Sequence, residues 1–514
     1  MTLPARRKIG WSARTGWRRW LGGAALLLSG AASAGCATRA AGGGPPGTVA
    51  VKAGYSEPTI PAPCATLTAG KHSARGILDA ADEAELDTER IQSAIGSCAA
   101  GQAVRLVAAP GKDAFVSGPL TMVSDVSLWV DKGVTLFASR NPRDFDVQPG
   151  ACGTDEFDES GGCRSLINVE SVDNVGIVGE GTIDGRGGEP MIGGTATWWD
   201  VAQHAKDTNA KHSNPRLIDV KKVRNFTLYK VSLYNSPKFH VVINAQGFVV
   251  WGVTVLTPSR ATNSVGRPLN PHYARNTDGI DPSAASNGVI AYSTISTGDD
   301  QIAIKGGNSG PTAFVTIAHN HFGAGHGMSI GSETNGGVNN ILVYDLSIDG
   351  TVAPGFMPKV DLNGIRIKSD SSRGGLVENI TYRDVCIRDV VYPILLSPLY
   401  SKATGTMVPL YRNILLENVL AIRTPGTLVE PPVVKLLGFD ANYLLDVQLD
   451  NVVVEGLGAE GSVRASFAKV ELGPGPVSFP IAGDGVTVTN HVTRPGAAPN
   501  ACAGKFVKIA ANYP

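Results

Sequence analysis

The 514-residue sequence is poor in charged side chains, in aromatic side chains and in long apolar runs. Only 18% of the residues are charged and 6% are aromatic, which excludes a coiled coil or a helical bundle. The 45 basic and 45 acidic residues cancel, so no field of the whole chain would recruit nucleic acid. Glycine and proline are abundant instead, at 62 and 32 residues. They indicate many tight turns and favour an all-β protein.

Residues 1–35 have the composition of an export signal. They contain six basic residues and no acidic residue, and the apolar run Trp20–Leu28 is followed by small residues. We therefore predict a signal peptide over residues 1–35, since the apolar run is too short to remain as a membrane span. Without those six basic residues the chain keeps 39 basic and 45 acidic residues, a net charge near −6. An overall positive surface is therefore not how the mature protein would hold an anionic ligand.

Two sites of signal cleavage fit the sequence. Cleavage after Ala34 would follow a triplet of small residues and release a secreted protein. Cleavage before Cys36 would fit the resemblance of residues 33–36 to a bacterial lipoprotein box, and would leave a lipid anchor on an outer-membrane lipoprotein. Residues 36–63 are predicted to be a low-complexity linker. Residues 64–514 are predicted to fold as one domain, and we expect a monomer.

The chain contains seven cysteines, and an exported chain is expected to form disulfides. Setting Cys36 aside leaves Cys64, Cys98, Cys152, Cys163, Cys386 and Cys502. Cys152 and Cys163 bracket a short acidic loop and are the first pair we predict. A bond between Cys64 and Cys98 would tie the incoming segment to the first helix, but the sequence does not fix the connectivity. It has no CxxC motif and no Cys/His cluster, so we predict no metal site.

One helix and a repeated strand pattern organise the folded part. Residues 87–98 form the only predicted helix, with Asp87 as its N-cap and an apolar face of Ile91, Ala94 and Ile95. From there to about residue 475, turns alternate with short apolar stretches: NFTLYKVSLYNS, GFVVWGVTVLT, GVIAYSTIST, AFVTIAHNHFG, NILVYDLSIDG, NITYRDVCIRD, NILLENVLAI and DVQLDNVVVEG. The two cleanest repeats are 25 and 27 residues long. Such a repeat predicts a solenoid, and we expect one right-handed parallel β-helix with the helix capping its N-terminal end.

Four polar stretches interrupt the repeat on nearly consecutive coils: ARNTDGID, TGDDQIAIK, GHGMSIGS and GIRIKSD. In the first three, a polar residue stands two places before the first inward apolar residue; these are Asp278, Asp300 and His326. Equivalent positions of successive coils stack about 4.7 to 4.9 Å apart, so we expect one column with Asp299 beside it. A single Asp next to Gly is usually a turn residue, but the alignment of all four favours a functional site.

The fourth stretch brings positive charge to the same place. Ile365 and Ile367 take the inward phase, which points Arg366 and Lys368 outward on the face that carries the acids. The two cations would hold a carboxylate of the substrate, Arg366 in a bidentate fork. They therefore indicate a uronic-acid polymer rather than a neutral glycan.

The clustered carboxylates indicate hydrolysis of a glycosidic bond, which needs one protonated acid and one carboxylate that activates water. Like charges at close range raise at least one pKa, so three aspartates can supply both forms. Asp278 and Asp300, neighbours in the column, are suited to holding a water as general base, and Asp299 is suited to being the acid. An acid and a base about 6.5 to 9.5 Å apart leave room for that water. On that condition we predict inversion of the anomeric configuration.

These residues also carry a family resemblance. The order Asn276-Thr277-Asp278, Gly298-Asp299-Asp300, Gly325-His326-Gly327 and Arg366-Ile367-Lys368 resembles the signature of the polygalacturonases of glycoside hydrolase family 28. The longer strings NTDGIDP, GDDQIAIK, GHGMSIGSE and GIRIKSD look like the bacterial endo-acting branch. The resemblance extends from roughly Cys64 to the C-terminus, and includes NSPKFHV at Asn235.

The resemblance implies an endo-acting, inverting hydrolase of the α-1,4-linked galacturonan of pectin, with no metal or organic cofactor, in a β-helix catalytic domain. The roles it implies are the acid for Asp299, the water-activating pair for Asp278 and Asp300, support of the acid for His326, and binding of substrate carboxylates for Arg366 and Lys368.

Three further residues have two interpretations each. Tyr400, in LSPLYSK, matches a tyrosine that lines the family's cleft. The alternative interpretation is an ordinary packed aromatic residue. One interpretation of Asn276 and Lys305 is that they touch sugar or position Asp278. The other is that they are turn and edge residues.

Three rival functions stay open. An exo-acting enzyme of the same family would close one end of its cleft with loops, and the long inserts near 184–215, 257–275 and 350–362 could do so. A pectate lyase would use bound calcium and an Arg base on the same architecture. A non-catalytic surface β-helix that binds glycans would need no carboxylates in register.

Overall fold

The computed structural model describes residues 55–155, 161–351, 362–458, 461–490 and 502–509. The predicted signal peptide, both cleavage sites and Cys36 lie outside the described residues, as does residue range 36–54 of the predicted linker. Residues 55–62 have no regular secondary structure and lead into the first strand. In the part of the chain described, no helix has the length and apolar character needed to cross a membrane.

Within those ranges the chain forms 31 β-strands and two α-helices. The helices are α1 (Thr88–Ser97) and α2 (Trp198–Thr208). The strands, in chain order, are β1 (Pro63–Thr68), β2 (Ser73–Ala74), β3 (Ile77–Leu78), β4 (Gln102–Val107), β5 (Ala114–Ser117), β6 (Leu120–Thr121), β7 (Val126–Val130), β8 (Thr135–Ala138), β9 (Ile167–Glu170), β10 (Asp173–Val178), β11 (Thr182–Asp184), β12 (Ile218–Tyr229), β13 (Ser232–Tyr234), β14 (Val241–Trp251), β15 (Thr254–Leu256), β16 (Ile280–Pro282), β17 (Ser286–Ala291), β18 (Thr294–Ser296), β19 (Ile302–Ile304), β20 (Thr312–Phe322), β21 (Met328–Ile330), β22 (Val338–Asp349), β23 (Asn363–Lys368), β24 (Leu376–Arg388), β25 (Tyr392–Ser397), β26 (Leu410–Ile422), β27 (Val434–Leu437), β28 (Leu445–Val454), β29 (Val463–Ser466), β30 (Ala468–Leu472) and β31 (Thr487–Asn490). Three short 3-10 helices span Ala80–Glu83, Pro142–Phe145 and Pro271–Tyr273.

The strands wind into a right-handed parallel β-helix, as the repeat predicts. Twenty-nine of the strands pair in parallel from coil to coil, and β2 with β3 forms a separate antiparallel pair. Strands of successive coils stack into sheets that run along the helix. The sheet that carries the polar interruptions, here called the front sheet, consists of β6, β9, the first residues of β12 and β14, β16, β19, β21, β23, β25, β27 and β29.

Aliphatic columns fill the inside of the helix. In the front sheet Ile280, Ile302, Met328, Ile365 and Ile394 pair in register, and all five are fully buried. Each coil adds one aliphatic side chain to the column, and these side chains belong to one continuous hydrophobic cluster. The packed interior fixes which residues of each front-sheet strand point outward, because neighbouring residues of a strand face opposite sides.

Asparagine opens many repeats because the chain turns there in the left-handed conformation. Asn340, Asn379 and Asn413 have φ values of 55°, 57° and 49°, a region that Asn tolerates better than most residues. Their side chains also stack, and Asn413 Nδ2 donates to Asn379 Oδ1 over 2.7 Å. The periodic asparagines in the sequence are therefore the turn signals that set the strand boundaries.

Helix α1 lies where the sequence predicts it, and its predicted apolar face is buried. Asp87 occupies the N-cap position, as predicted, but its side chain makes no capping hydrogen bond. Its carboxylate instead accepts the backbone N–H of Val116 over 2.8 Å and pairs with Arg90 over 2.7 Å. A charged partner and a strand amide therefore compete successfully with the helix terminus.

Helix α2 contradicts the prediction that residues 87–98 form the only helix. It lies within the insert at 184–215, and Thr197 and Asp200 form a capping box at its start. Trp198 and Trp199 are buried, and Trp199 Nε1 donates to the carbonyl of Ser236 over 2.9 Å. The capping box was visible in the sequence. The apolar period of a helix was not, because the two adjacent tryptophans pack on separate neighbours and do not mark a single apolar face.

Three disulfides close the described structure. Cys152 bonds Cys163 and Cys64 bonds Cys98, which confirms both predicted pairs. Cys386 bonds Cys502. The third bond connects β24 with the segment 502–509 across a sequence separation of 116 residues.

Candidate active site

The predicted column of polar residues is present on the front sheet. Asp278, Asp300 and His326 stand two residues before β16, β19 and β21, and these three strands pair in register. Each polar residue precedes its strand by the same two positions, so all three leave the sheet at the same edge. The structure therefore brings together residues that are 48 positions apart in sequence.

Asp299 is held by hydrogen bonds from three directions. Its Oδ1 accepts the ring nitrogen Nδ1 of His326 over 2.9 Å and the backbone N–H of Asp300 over 3.0 Å. Its Oδ2 accepts the backbone N–H of Asn276 over 3.2 Å. Burial alone would raise the pKa of Asp299, but the imidazole of His326 and the two nearby cations outweigh it and hold that pKa well below its usual range.

Asp300 is paired with the two cations predicted for the substrate. Lys368 Nζ lies 2.6 Å from Asp300 Oδ2, and Arg366 Nη1 lies 3.4 Å from Asp300 Oδ1. The hydroxyl of Ser329 also donates to Oδ1 over 2.7 Å. Asp300 is 1% exposed, and these partners offset the cost of burying its carboxylate. In the free protein Arg366 and Lys368 thus serve the acid cluster before any substrate carboxylate arrives.

Asp278 lies beside an ion pair that the sequence interpretation did not assign. Lys305 Nζ is 3.7 Å from Asp278 Oδ2 and 2.9 Å from Asp281 Oδ2. Burial first, and then the negative charges of Asp281 and Asp299, raise the pKa of Asp278 well above its usual value. Burial also raises the pKa of Asp281 to about 6, although Lys305 opposes this shift. Two carboxylates therefore share one ammonium group at the floor of the site.

His240 holds the main chain of Asp278. Its backbone N–H and its ring Nδ1 both contact the carbonyl oxygen of Asp278, at 2.8 and 3.0 Å. The ring Nε2 contacts the hydroxyl of Thr257 over 2.7 Å. Burial lowers the pKa of His240 to about 4, so the ring is neutral near pH 7 and acts as a rigid spacer.

The pKa directions run against the predicted roles of the aspartates, because a general acid must carry the proton and a general base must not. The pKa of Asp278 is raised by its burial first and then by the neighbouring carboxylates, and Lys305 offsets only part of this shift. The pKa of Asp299 is lowered because His326, Lys368 and Arg366 outweigh its burial.

Three other predicted residues are placed with different outcomes. Tyr400 is 45% exposed and its ring lies 5.1 Å from Lys368 Nζ, so it is not a packed core residue. Asn276 acts on Asp299 through its backbone N–H, whereas the sequence interpretation expected it near Asp278. Lys305 lies over the ring of Phe239, at 4.6 Å, and contacts Asp278, which agrees with the positioning role.

Asp281 and Ser329 are residues that sequence reasoning missed. Asp281 belongs to the string NTDGIDP, and Ser329 to GHGMSIGSE. Both follow an aliphatic residue of the core column by one position, and that outward phase was the available signal. The outward phase was used for Arg366 but not for the residues that pair with Arg366 in register. Ser329 is one of these, across β21 and β23.

The site opens into a cavity of about 250 Å3 on the C-terminal side of the carboxylates. It is lined by Asn363, Arg366, Lys368, Tyr392, Leu395, Ser397, Leu399, Tyr400 and Lys435. No carboxylate is among these lining residues. An anionic ligand would therefore enter a pocket whose charged side chains are all positive.

A divalent cation would have to compete with the side chains already in the site. Asp299, Asp300 and His326 each offer one ligand atom, and these atoms lie within 4.8 Å of one another. Asp300, however, already pairs with Lys368 over 2.6 Å, and His326 with Asp299 over 2.9 Å. The donor set therefore resembles a charge-balanced acid cluster more than a cage of oxygen ligands.

The 4.8 Å limit joins single atoms of Asp299 and Asp300, whereas the separation of about 6.5 to 9.5 Å expected of an inverting pair joins the two carboxyl groups. Inversion of the anomeric configuration therefore stays a prediction.

Comparison with known sequences identifies relatives over most of the chain. The family model of the glycosyl hydrolases family 28 matches residues 98–472. A polygalacturonase of Ralstonia solanacearum is 41% identical over 467 residues, which cover 82% of this chain and 86% of that protein. An endo-polygalacturonase of Pectobacterium parmentieri is 42% identical over 400 residues, which cover 77% of this chain and 88% of that protein.

Solved structures share the fold. A polygalacturonase from Erwinia carotovora ssp. carotovora matches with a TM-score of 0.63 at 36% identity, over 88% of this chain and 98% of that one. A family 28 exopolygalacturonase of Yersinia enterocolitica matches with a TM-score of 0.58 at 20% identity, over 79% of this chain and 75% of that one. The second likeness is one of fold alone.

Proposed function

The chain belongs to glycosyl hydrolase family 28, and we propose that it is a polygalacturonase that cuts within the polymer and inverts the anomeric configuration. The observation that carries the proposal is the position of Asp299 and Asp300 beside Arg366 and Lys368 on one sheet. Carboxylates are the groups that hydrolysis of a glycosidic bond needs. The two cations select a substrate that itself carries carboxylates.

Asp299 is the proposed general acid, and His326 is its proposed proton partner. The imidazole Nδ1 lies 2.9 Å from the carboxylate, so a proton on the ring has a direct path to Asp299. The free protein favours an ionised Asp299 because of the surrounding positive charge. A substrate carboxylate that binds Arg366 and Lys368 offsets part of that charge. We propose that substrate binding thereby moves the proton onto the acid.

Asp278 and Asp300 are the proposed base pair that holds the attacking water. Lys368 Nζ contacts Asp300 Oδ2 over 2.6 Å, and the pKa of Asp278 is raised. A water between the two would donate one hydrogen bond to the carboxylate of Asp300 and contact the carboxyl group of Asp278. The proposal of inversion rests on family membership and on this pair of carboxylates beside the acid.

Endo action is supported by two observations. Two relatives named endo-polygalacturonase are 42% identical to this chain over 400 and 401 aligned residues. The cavity beside the carboxylates is also lined by Tyr392 and Lys435 of later coils, so sugar units can be accommodated beyond the cleavage point. The alternative is exo action, in which loops would close one end of the cleft. The insert at 350–362 falls almost wholly outside the described residues.

We expect the viscosity of a polygalacturonate solution to fall early, when few reducing ends have been released. Cuts inside a chain shorten it far more than removal of its terminal units does. The measurement follows viscosity and reducing ends together. Release of monomer or dimer with little loss of viscosity would establish the exo alternative. The anomeric configuration of the first products, read by proton NMR, separates inversion from retention.

Two other functions give different results in the same reaction. A lyase would produce an unsaturated end that absorbs in the ultraviolet, and its activity would disappear in a chelator. A non-catalytic glycan-binding β-helix would release no reducing ends from polygalacturonate. Hydrolysis in the presence of chelator, without new ultraviolet absorbance, excludes both.

We expect Asp281→Asn to move the acidic limb of the kcat/KM profile to lower pH by about one unit. Asp278 must be ionised to act as a base, and its raised pKa means that activity falls as pH falls through that pKa. Asp281 is the first charged neighbour that raises it, and Asp281 also binds Lys305 over 2.9 Å. Removing that negative charge lowers the pKa of Asp278. It also leaves the ammonium group of Lys305 to pair with Asp278.

The other charged groups that face Asp278 are Asp299, Asp300 and Lys305, and all three remain in this variant. Asp281→Glu keeps the charge and is the matched control, for which the limb should move much less. A limb that stays in place, or moves to higher pH, in Asp281→Asn would contradict the assigned coupling.

We also propose that the protein is exported through the predicted signal peptide and acts outside the cytoplasm as a monomer. Cleavage after Ala34 and lipidation of Cys36 predict different masses for the mature chain. The mass of the protein recovered from culture supernatant and from membranes separates the two.

A further inference from the structure

The front sheet changes in charge along the helix axis. Its last four strands, β23, β25, β27 and β29, have the sequences NGIRIK, YPILLS, VKLL and VRAS, without a single Asp or Glu. They contain the cations Arg366, Lys368, Lys435 and Arg464. The chain as a whole has equal numbers of acidic and basic residues. The positive charge is therefore concentrated on one end of the sheet that carries the active site.

Three of these cations lie in one outward column. Arg366 pairs in register with Leu395, Leu395 with Lys435, and Lys435 with Arg464. Lys435 alternates with the buried residues Val434 and Leu436 of β27, so it faces outward. Two strand spacings separate Arg366 from Lys435, which places their backbones about 10 Å apart. Arg464 follows one further spacing away and is exposed.

A continuous cavity joins the catalytic cations to Lys435. Arg366, Lys368 and Lys435 all line the same cavity of about 250 Å3. Lys435 Nζ lies 4.6 Å from the ring centroid of Tyr392, which also lines it. The ring fixes the ammonium group by a cation–π contact and offers an apolar edge beside it. The pocket thus combines a cation and an aromatic surface, the two features that a charged sugar needs.

We propose that Lys435, positioned by Tyr392, binds the carboxylate of a second uronate unit of the substrate, two coils from Arg366. Arg464 extends the same track for longer polyanions. The proposal rests on the proposed function, because it assigns the site a polymer with a carboxylate on every sugar. A track parallel to the helix axis would hold the polymer on the C-terminal side of the scissile bond. Binding energy from this remote contact is then available only to substrates long enough to reach it.

Lys435→Met tests this assignment because it removes the charge and keeps the length of the side chain. We expect the ratio of kcat/KM on polygalacturonate to kcat/KM on the shortest cleaved oligogalacturonate to fall about 10-fold, as for loss of one charge-assisted hydrogen bond. The loss should be mainly in KM for the polymer. Lys469→Met, an exposed lysine on β30 outside the front sheet, is the matched control and should leave the ratio at the wild-type value.

A second measurement excludes a merely structural effect. Binding of a long oligogalacturonate is measured by calorimetry in Asp299→Asn and in the double variant Asp299→Asn/Lys435→Met, after thermal unfolding has established that both are folded. Weaker binding in the double variant, about 10-fold, supports the track. An unchanged ratio of kcat/KM in Lys435→Met, or equal binding by the two variants, overturns it. If the wild type releases no reducing ends from polygalacturonate, the proposed function itself fails.

Discussion

Asp299→Asn is expected to lower kcat on polygalacturonate by about 100- to 10,000-fold, the usual contribution of a general acid. The amide cannot donate a proton to the leaving oxygen, yet it keeps the shape of the carboxylate. Its single oxygen can keep one of the two backbone hydrogen bonds, that of Asp300 at 3.0 Å or that of Asn276 at 3.2 Å, whereas the NH2 group cannot accept the other. The fold should therefore survive with a modest loss of stability while turnover is lost. The measurement is the initial rate of release of reducing ends, together with thermal unfolding.

The matched control is Asp446→Asn. Asp446 lies on β28, which pairs with β26 and β30 and has no part in the front sheet. This variant should retain the wild-type rate. A rate for Asp299→Asn within a few-fold of the wild type would remove Asp299 from the role of acid. Because the pKa of Asp278 is raised, Asp278 would then become the candidate acid.

The outcome of that test depends on the surroundings of Asp299 and Asp278, which set which of the two carries the proton. His326 and the two cations near Asp299 lower its pKa, whereas burial and then the carboxylates near Asp278 raise the pKa of Asp278. A substrate carboxylate adds negative charge on the side of the cations. Occupation of Arg366 and Lys368 is therefore expected to raise the pKa of Asp299 and to favour the protonated acid. Such coupling would also disfavour a neutral glycan, which brings no charge.

The periodic part of the fold and the column of the site could be predicted from the sequence. Each coil repeats one inward aliphatic position, so counting two residues back from Ile280, Ile302 and Met328 predicts a shared edge, and the register of the strands confirms it. Register converts a sequence repeat into a distance, since parallel strands are separated by a constant spacing. The same counting placed Arg366 and Lys368 on the outer face, and the structure brings both to Asp300.

What counting could not supply is the competition between partners for a charged group. Asp87 stands at a helix terminus but binds Arg90 and the backbone of Val116. Lys305 was assigned from its motif, yet its nearest partner is Asp281 at 2.9 Å. Such choices depend on which side chain from another coil reaches first, and on burial. The sequence of a single repeat contains neither kind of information. Helix α2 was not predicted for a related reason, because the insert that contains it has no equivalent in the other repeats.

Lys368→Met is expected to be costly both to stability and to activity. Lys368 is 5% exposed and its Nζ lies 2.6 Å from Asp300, which is 1% exposed. Removing the ammonium leaves a buried carboxylate with Arg366 at 3.4 Å as its remaining cation, a loss that typically costs about 3 to 5 kcal/mol of unfolding free energy. We expect kcat/KM to fall about 100-fold or more, because one substrate ligand and the main support of the base are lost together.

The double variant Lys368→Met/Asp300→Asn separates these two effects. Without a charge on residue 300 the buried site no longer needs Lys368, so chemical denaturation should recover most of the lost unfolding free energy. Activity should stay low, because the amide cannot take a proton from the attacking water. If the double variant instead recovered activity along with stability, Lys368 and Asp300 would be a structural ion pair. The water would then have to be activated by Asp278 alone, whose raised pKa would set the entire acidic limb.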